Sequence, residues 1–194
     1  MVRDIIYSFC LRARLNPELE KAGVLQDDSI MVNLRRPADI LVDGIGQSRD
    51  QGRQWERTAL DVKVINALGQ THLQESMNGG LAAAESYRQE QIEHLRTGEL
   101  RAAQNVSYQP LVFTIQGGCE RHAEVILSRI AAAVAKCESV SAMEVKAELM
   151  QRISLALVRA AAKAIERRRN RHCSSDWLRA RRLLAESELD DTCE

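Results

Sequence analysis

The chain has 194 residues, enough for one domain or one domain with an appended module, and too few for a polymerase, a large motor or a multidomain scaffold. Apolar residues make up 45% and aromatics 4%, which rules out wholesale disorder and leaves aliphatic side chains and alanine to fill the core. Lys+Arg and Asp+Glu each number 27, so the chain lacks the global basic field of a nucleic-acid coat, while a local basic stripe fits the same balance.

Val2, Ile5, Ile6, Phe9, Cys10 and Ala13 recur at helical spacing, predicting a helix over 2–15 that Asn16-Pro17 stops. Glu18 to Leu25 reads either as an extra turn or as the lead into a strand. Ile30 to Leu34 is a short strand candidate, interrupted by Arg35-Arg36-Pro37, and Ala38 to Val42 resumes an extended apolar run. Pro37 donates no ladder hydrogen bond and belongs at a strand start or an edge. Asp43 to Arg57 is a polar, glycine-punctuated loop, and loops of that length tend to be functional or mobile. Thr58 to Ile65 is the clearest strand, followed by a second loop from Gly69 to Gly80 and a helix from Leu81 to Arg96. Leu111 to Ile115 is a further strand, rich in β-branched and aromatic types. Gly117-Gly118 turns the chain into a helix over Arg121 to Lys136, with Ala123, Ile126, Leu127, Ile130 and Val134 inward. The order helix, strand, strand, strand, helix, strand, helix describes an α/β domain with a small mixed sheet, ending near residue 138.

Beyond it, Ser141-x-x-Glu144 has the pattern of a capping box opening a long helix. Met143, Ala147, Met150, Ile153, Leu157, Ala160, Ala161 and Ala164 are expected to line its packed face. Ser174 or Ser175 is expected to cap a last short helix carrying Trp177 and Leu178. Residues 151–182 hold ten Arg/Lys against two acids, Glu166 and Asp176, and an acidic tail follows, so the neutral total hides a basic segment. This helical extension, 139–194, is read separately from the α/β domain of 1–138.

No apolar run reaches the roughly 18–20 residues that span a bilayer, and the first residues read as an amphipathic helix rather than a signal peptide. Five scattered cysteines without a CxxC pair point to a reducing compartment, away from disulfides and cysteine zinc sites. A soluble, intracellular protein is expected. The four histidines show no HExxH and no repeated ligand spacing; His72, after the clearest strand, is the one to keep in view.

The constellation that carries chemistry is Pro37-Ala38-Asp39 with Leu60-Asp61-Val62-Lys63-Val64. Residues i and i+2 of a strand share a face, so Asp61 and Lys63 project together while Leu60, Val62 and Val64 point to the packed side. If the strand of Asp39 pairs with that of Asp61, the two carboxylates come side by side. Two carboxylates and a main-chain carbonyl, that of Val62, suit a hard divalent cation such as Mg²⁺ or Mn²⁺. Lys63 then sits against the attacking water or the scissile phosphate, the arrangement that phosphodiester hydrolysis needs.

These residues carry a family resemblance. Arg36-Pro37-Ala38-Asp39 followed by Asp61-x-Lys63 resembles the PD-(D/E)xK, or restriction-endonuclease-like, nuclease superfamily, whose α-β-β-β-α-β core matches the order above. More narrowly, RRPADILV, ALDVKVINAL, AAAESYR and YQPLVFTIQGG are similar to a nuclease-like domain found C-terminal to reverse transcriptases of eukaryotic retroelements. The resemblance covers roughly residues 1–137. It implies a metal-dependent DNA endonuclease with Asp39 and Asp61 as metal ligands and Lys63 as the catalytic lysine. It adds an acid from the region of the first helix, Glu18 or Glu20, with Glu20 preferred, and a polar residue of the later helix, Arg88 or Gln91. DNA is the implied partner. A homodimer and a place in a longer reverse-transcriptase-containing polyprotein are further expectations.

Each signal has a plainer counterpart. The Asp61–Lys63 face also fits a solvated edge strand guarded against aggregation. The same fold with its activity decayed fits a non-catalytic nucleic-acid-binding or assembly module. Gly117-Gly118 before a helix can bind a phosphate, but without a P-loop or dinucleotide pattern it is read as a turn. Arg167, Arg168, Arg169 and Arg171 are either a solvated helix end, a nuclear-import signal or a grip on DNA phosphates.

Overall fold

The computed structural model describes residues 1–19, 38–45, 57–79, 81–94, 99, 102–103 and 105–190, with the backbone alone from 170 onward. Helix α1 (Val2–Arg12) buries Val2, Ile6, Phe9 and Cys10 on one face. It is ended by Arg14 and Asn16, whose φ values of 54° and 43° lie in the left-handed region, and by Pro17, which has no N–H to continue the ladder. Strands β1 (Glu18–Leu19), β2 (Ile40–Asp43), β3 (Arg57–Ile65) and β4 (Val106–Thr114) follow. Among the described residues they form one mixed sheet in the order β1-β2-β3-β4, with the first two pairings antiparallel and β3–β4 parallel. The strand expected at Ile30–Leu34 lies outside the described residues, as does Pro37.

The parallel pair needs a crossover, and α2 (Leu73–Met77) and α3 (Ala82–Glu93) supply it. Helix α2 replaces the middle of the loop expected from Gly69 to Gly80; its buried face is empty, so no apolar period announced it. Strand β4 begins at Val106, five residues before the strand expected at Leu111. That extension includes Pro110; among the described residues β4 lies at the edge of the sheet, where a missing N–H breaks no inner ladder.

Helix α4 (Arg121–Glu138) buries Ala123, Ile126, Leu127, Ile130, Ala131, Val134 and Ala135. Ser139, in a left-handed conformation at φ 57°, closes it. The last helix, α5, runs unbroken from Ala142 to Asp190. The separate short helix expected after Ser174 is therefore absent: no glycine or proline follows Gly118, and an arginine-rich stretch propagates helix readily. Its packed face is shifted in part: Ile153 and Leu157 are buried and Met150 packs against the core, as expected. Val145, Leu149, Ile153, Ala156 and Leu157 are buried, whereas Met143 is 78% exposed and Ala147, Ala160 and Ala164 face solvent.

One face of the sheet carries the main core. Ile40, Val42, Leu60, Leu111 and Phe113 pack with Ile6, Phe9, Leu127, Ile130, Leu149 and Ile153. Burying each such side chain contributes about 1.5–3 kcal/mol relative to leaving it in water. The compact unit formed this way runs from Met1 to Leu157, and the helix from Val158 onward forms a second unit. The opposite face carries two smaller clusters: Ala38, Leu41, Ala59 and Val106 with Tyr108, and Ile65, Ala83, Ala84 and Val112 with Tyr87. On β3, Ala59 belongs to the first and Ile65 to the second, so alternation puts Asp61 and Lys63 between them. Val64, expected toward the packed side with Leu60 and Val62, is 45% exposed at the end of that face.

Candidate metal centre

Strand β3 is not an edge. It pairs with β2 from Arg57 to Leu60 and with β4 along its whole length, and the burial of Asp61, rather than the pairing, speaks against a solvated Asp61–Lys63 face. Asp61 is only 5% exposed although it is charged at neutral pH in an ordinary setting. A buried carboxylate costs several kcal/mol unless it is paired and hydrogen-bonded. Two side chains meet that need: Lys63 Nζ lies 3.1 Å from Oδ1, and the Tyr108 hydroxyl donates to Oδ2 at 2.9 Å. Lys63 keeps about a third of its side chain exposed, so the pair opens to solvent on the lysine side.

Asp39 stands at the same place from the other strand. The β2–β3 register runs Ile40↔Leu60, Leu41↔Ala59, Val42↔Thr58, and continuing it by one position sets Asp39 opposite Asp61. Two bonds hold it there. Its backbone N–H donates to the Leu60 carbonyl at 2.9 Å, and its Oδ2 accepts the Val62 N–H at 3.0 Å. In an extended strand a residue's N–H and C=O point to the same side, so the Val62 carbonyl faces the β2 side of β3, as Asp39 does. Asp39 Oδ1 makes no hydrogen bond among the described residues.

The electrostatics agree with this placement. Burial pushes the Asp61 carboxyl above the usual carboxylate range, and the negative charge of Asp39 adds to the rise. The charge of Lys63 and the hydrogen bonds from Tyr108 and Lys63 pull it back. Two carboxylates close enough to repel, with oxygen donors only, form the hard donor set that a small divalent cation prefers, and Mg²⁺ commonly takes one or two carboxylates with water completing its shell. The residues present fit such an ion. No group of three or more His, Cys, Asp or Glu able to hold a metal occurs among the described residues.

The remaining candidates separate. Glu20 lies outside the described residues. Glu18 is exposed on β1, and its carboxylate is held by Arg57 at 3.1 Å, alongside Asp43 at 3.2 Å. Arg57 precedes Asp61 by four residues of β3, roughly 13 Å along the strand, so Glu18 is not brought to Asp61. Arg88 reaches Glu120 at 3.8 Å, and its buried Nε makes no hydrogen bond. Gln91 is half-buried on α3. Glu120 also decides between the readings of Gly117-Gly118. Its fully buried carboxylate accepts the N–H groups of His122 and Ala123, so the start of α4 is capped by the chain's own anion and leaves no room for a phosphate. Gly117 turns with φ +95°, and a side chain on Gly118 meets Thr114 and Leu81 at 2.9 Å.

His72 belongs to a separate cluster: its Nδ1 is 3.5 Å from Glu75, which accepts the Ser86 hydroxyl, and its ring meets Tyr87 edge-on. Cys10, Cys119 and Cys137 are free thiols. Among the described residues no helix is long and apolar enough to cross a membrane. Arg167, Arg168 and Arg169 are exposed on α5, while the side chain of Arg171 lies outside the described residues.

Tyr108 was missed in the sequence. The parallel register pairs Asp61 with Pro110 and Ala59 with Tyr108, making Tyr108 the diagonal neighbour of Asp61. The available signal was the alternation of Val106 and Tyr108 ahead of the strand expected at Leu111. Compared with known proteins, the chain matches no family model, no curated protein and no solved structure.

Proposed function

We propose that this chain is a metal-dependent DNA endonuclease of the PD-(D/E)xK type, of the kind associated with retroelement reverse transcriptases. The observation that carries the reading is the register Ile40↔Leu60, which continues to Asp39 and Asp61, together with the 3.1 Å contact of Lys63 to Asp61. The mixed four-stranded sheet with α1 before it and α3 between β3 and β4 fits the core of that superfamily.

Each residue has a role in that chemistry. Asp39, Asp61 and the Val62 carbonyl would hold Mg²⁺ or Mn²⁺. When bound, the ion supplies a water of lowered pKa and stabilises charge on the phosphate. Lys63 donates hydrogen bonds to the attacking water or to the non-bridging phosphate oxygens, holding the nucleophile in line and spreading the developing negative charge. The Val62 N–H fixes Asp39, so that carboxylate is ordered before any ion arrives. Arg167, Arg168, Arg169 and Arg171 hold DNA through its phosphates.

The test is nicking of supercoiled plasmid by the purified chain in Mg²⁺ and in Mn²⁺, with a chelator control. Divalent-dependent conversion to open circles is expected. Intact plasmid across both metals and a range of DNA sequences, from a folded chain, overturns the reading.

A further inference from the structure

We propose that Tyr108 is a positioning residue for the metal centre: its hydroxyl clamps Oδ2 of Asp61, so that Asp61 offers Oδ1 alone to the cation. The inference rests on the nuclease reading, because it takes Asp61 as a ligand. The geometry behind it has three parts. Asp61 sits on an inner strand with its side chain 8% exposed, so protein groups rather than bulk water orient most of its carboxylate. The Tyr108 hydroxyl is 2.9 Å from Oδ2 and is carried by the neighbouring strand in fixed parallel register. The tyrosine ring packs on Ala38, Leu41, Ala59 and Val106, and Ala38 adjoins Asp39, so one side chain braces both carboxylate-bearing segments.

Lys63 contacts Oδ1 and the Tyr108 hydroxyl holds Oδ2; were a cation to join Lys63 at Oδ1, a carboxylate lacking the tyrosine bond could rotate between one-oxygen and two-oxygen binding. Fixing one oxygen by a hydrogen bond removes that freedom and sets the direction of the other. Partners of this kind beyond the ligands usually contribute 10- to 100-fold in metal affinity. The role differs from that of Lys63, which shares Oδ1 with the incoming ion, and from a plain packing role, which the ring alone fulfils.

Tyr108→Phe keeps the ring and removes the hydroxyl. Mn²⁺ binding to the full chain is measured by calorimetry for the parent, Tyr108→Phe and a control, Tyr7→Phe, whose hydroxyl belongs to α1. The expected result is about 10-fold weaker binding for Tyr108→Phe, with parent affinity for Tyr7→Phe and DNA affinity without metal unchanged. Raising Mn²⁺ is expected to restore the plasmid-nicking rate of Tyr108→Phe, since every ligand is still present. Where Tyr108→Phe does not fold, Tyr108→Leu fills the same apolar pocket without a hydroxyl, and the Mn²⁺-induced rise in its melting temperature replaces calorimetry.

Equal Mn²⁺ affinity in Tyr108→Phe and the parent overturns the positioning role and leaves the nuclease reading standing. Weakened Mn²⁺ binding in a chain that never cuts DNA upholds the positioning role and overturns the nuclease reading. A parent chain that binds no Mn²⁺ overturns both.

Discussion

At the scale of single residues, the centre turns on one buried carboxylate. Asp61→Asn keeps the shape and the Tyr108 contact but removes the anionic ligand. On the proposed nuclease reading it is expected to abolish divalent-dependent nicking, since losing a ligand would cost several kcal/mol of transition-state stabilisation and therefore orders of magnitude in rate. Parental nicking by a folded Asp61→Asn chain overturns the assignment. The same residue predicts a pH effect on stability. Its folded pKa is raised, chiefly by burial, so between the ordinary carboxylate pKa and the raised value the folded state binds more protons than the unfolded. Stability then falls as pH rises through that window. Without metal, the parent is expected to lose stability relative to Asp61→Asn as pH rises through the window. Denaturant titrations at a series of pH values measure this, and an unchanged difference contradicts the burial of the charge.

At the scale of elements, the sequence was most legible where side-chain period and burial coincide. The inward residues of α4, named from spacing, are all buried. Asp61 and Lys63 share a face because β3 alternates, and their contact is one of side chains two apart. Legibility ended where neighbours rather than period decide. Tyr108 was hidden because only the register with β3 shows it to be a partner of Asp61. The face of α5 was placed in part: Ile153 and Leu157 are buried as expected, but Met143 and Ala147, though compatible with burial, are exposed, and Val145, Leu149 and Ala156 pack into the core instead. Leu149→Ala is accordingly expected to destabilise by about 2–5 kcal/mol, while Met143→Ala stays within about 0.5 kcal/mol. Thermal melts of the two variants check the assignment, and equal losses contradict it. The turn into α4 supplies another test. Gly118→Ala places a methyl 2.9 Å from Thr114 Oγ1 and Leu81 Cδ2 and is expected to cost about 1–3 kcal/mol, read from the same melts.

At the scale of the whole molecule, charge is separated along the chain although its sum is zero. The basic stretch 151–182 lies on α5, with Arg167, Arg168 and Arg169 exposed. If these arginines grip phosphates, replacing Arg167, Arg168, Arg169 and Arg171 by Gln weakens DNA binding about equally across sequences. It also flattens the slope of log affinity against log salt by roughly 0.9 for each lost contact on duplex DNA. A binding titration at several salt concentrations measures the slope, and an unchanged slope leaves the arginines as surface charge.

The parallel partnership of β3 and β4 has a consequence in time. Register sets Arg57 against Val106, with nearly fifty residues between them. On a ribosome adding about 5–20 residues per second, β3 waits roughly 3–10 s for its second neighbour. During that interval its far edge lacks a partner, and an unpaired edge recruits other chains. Asp61 and Lys63 sit at the middle of that edge, and an acid and a lysine there disfavour pairing with an apolar stranger. The acid that the finished fold buries, and the lysine beside it, would thus shield the nascent strand until Tyr108 and Pro110 arrive beside it.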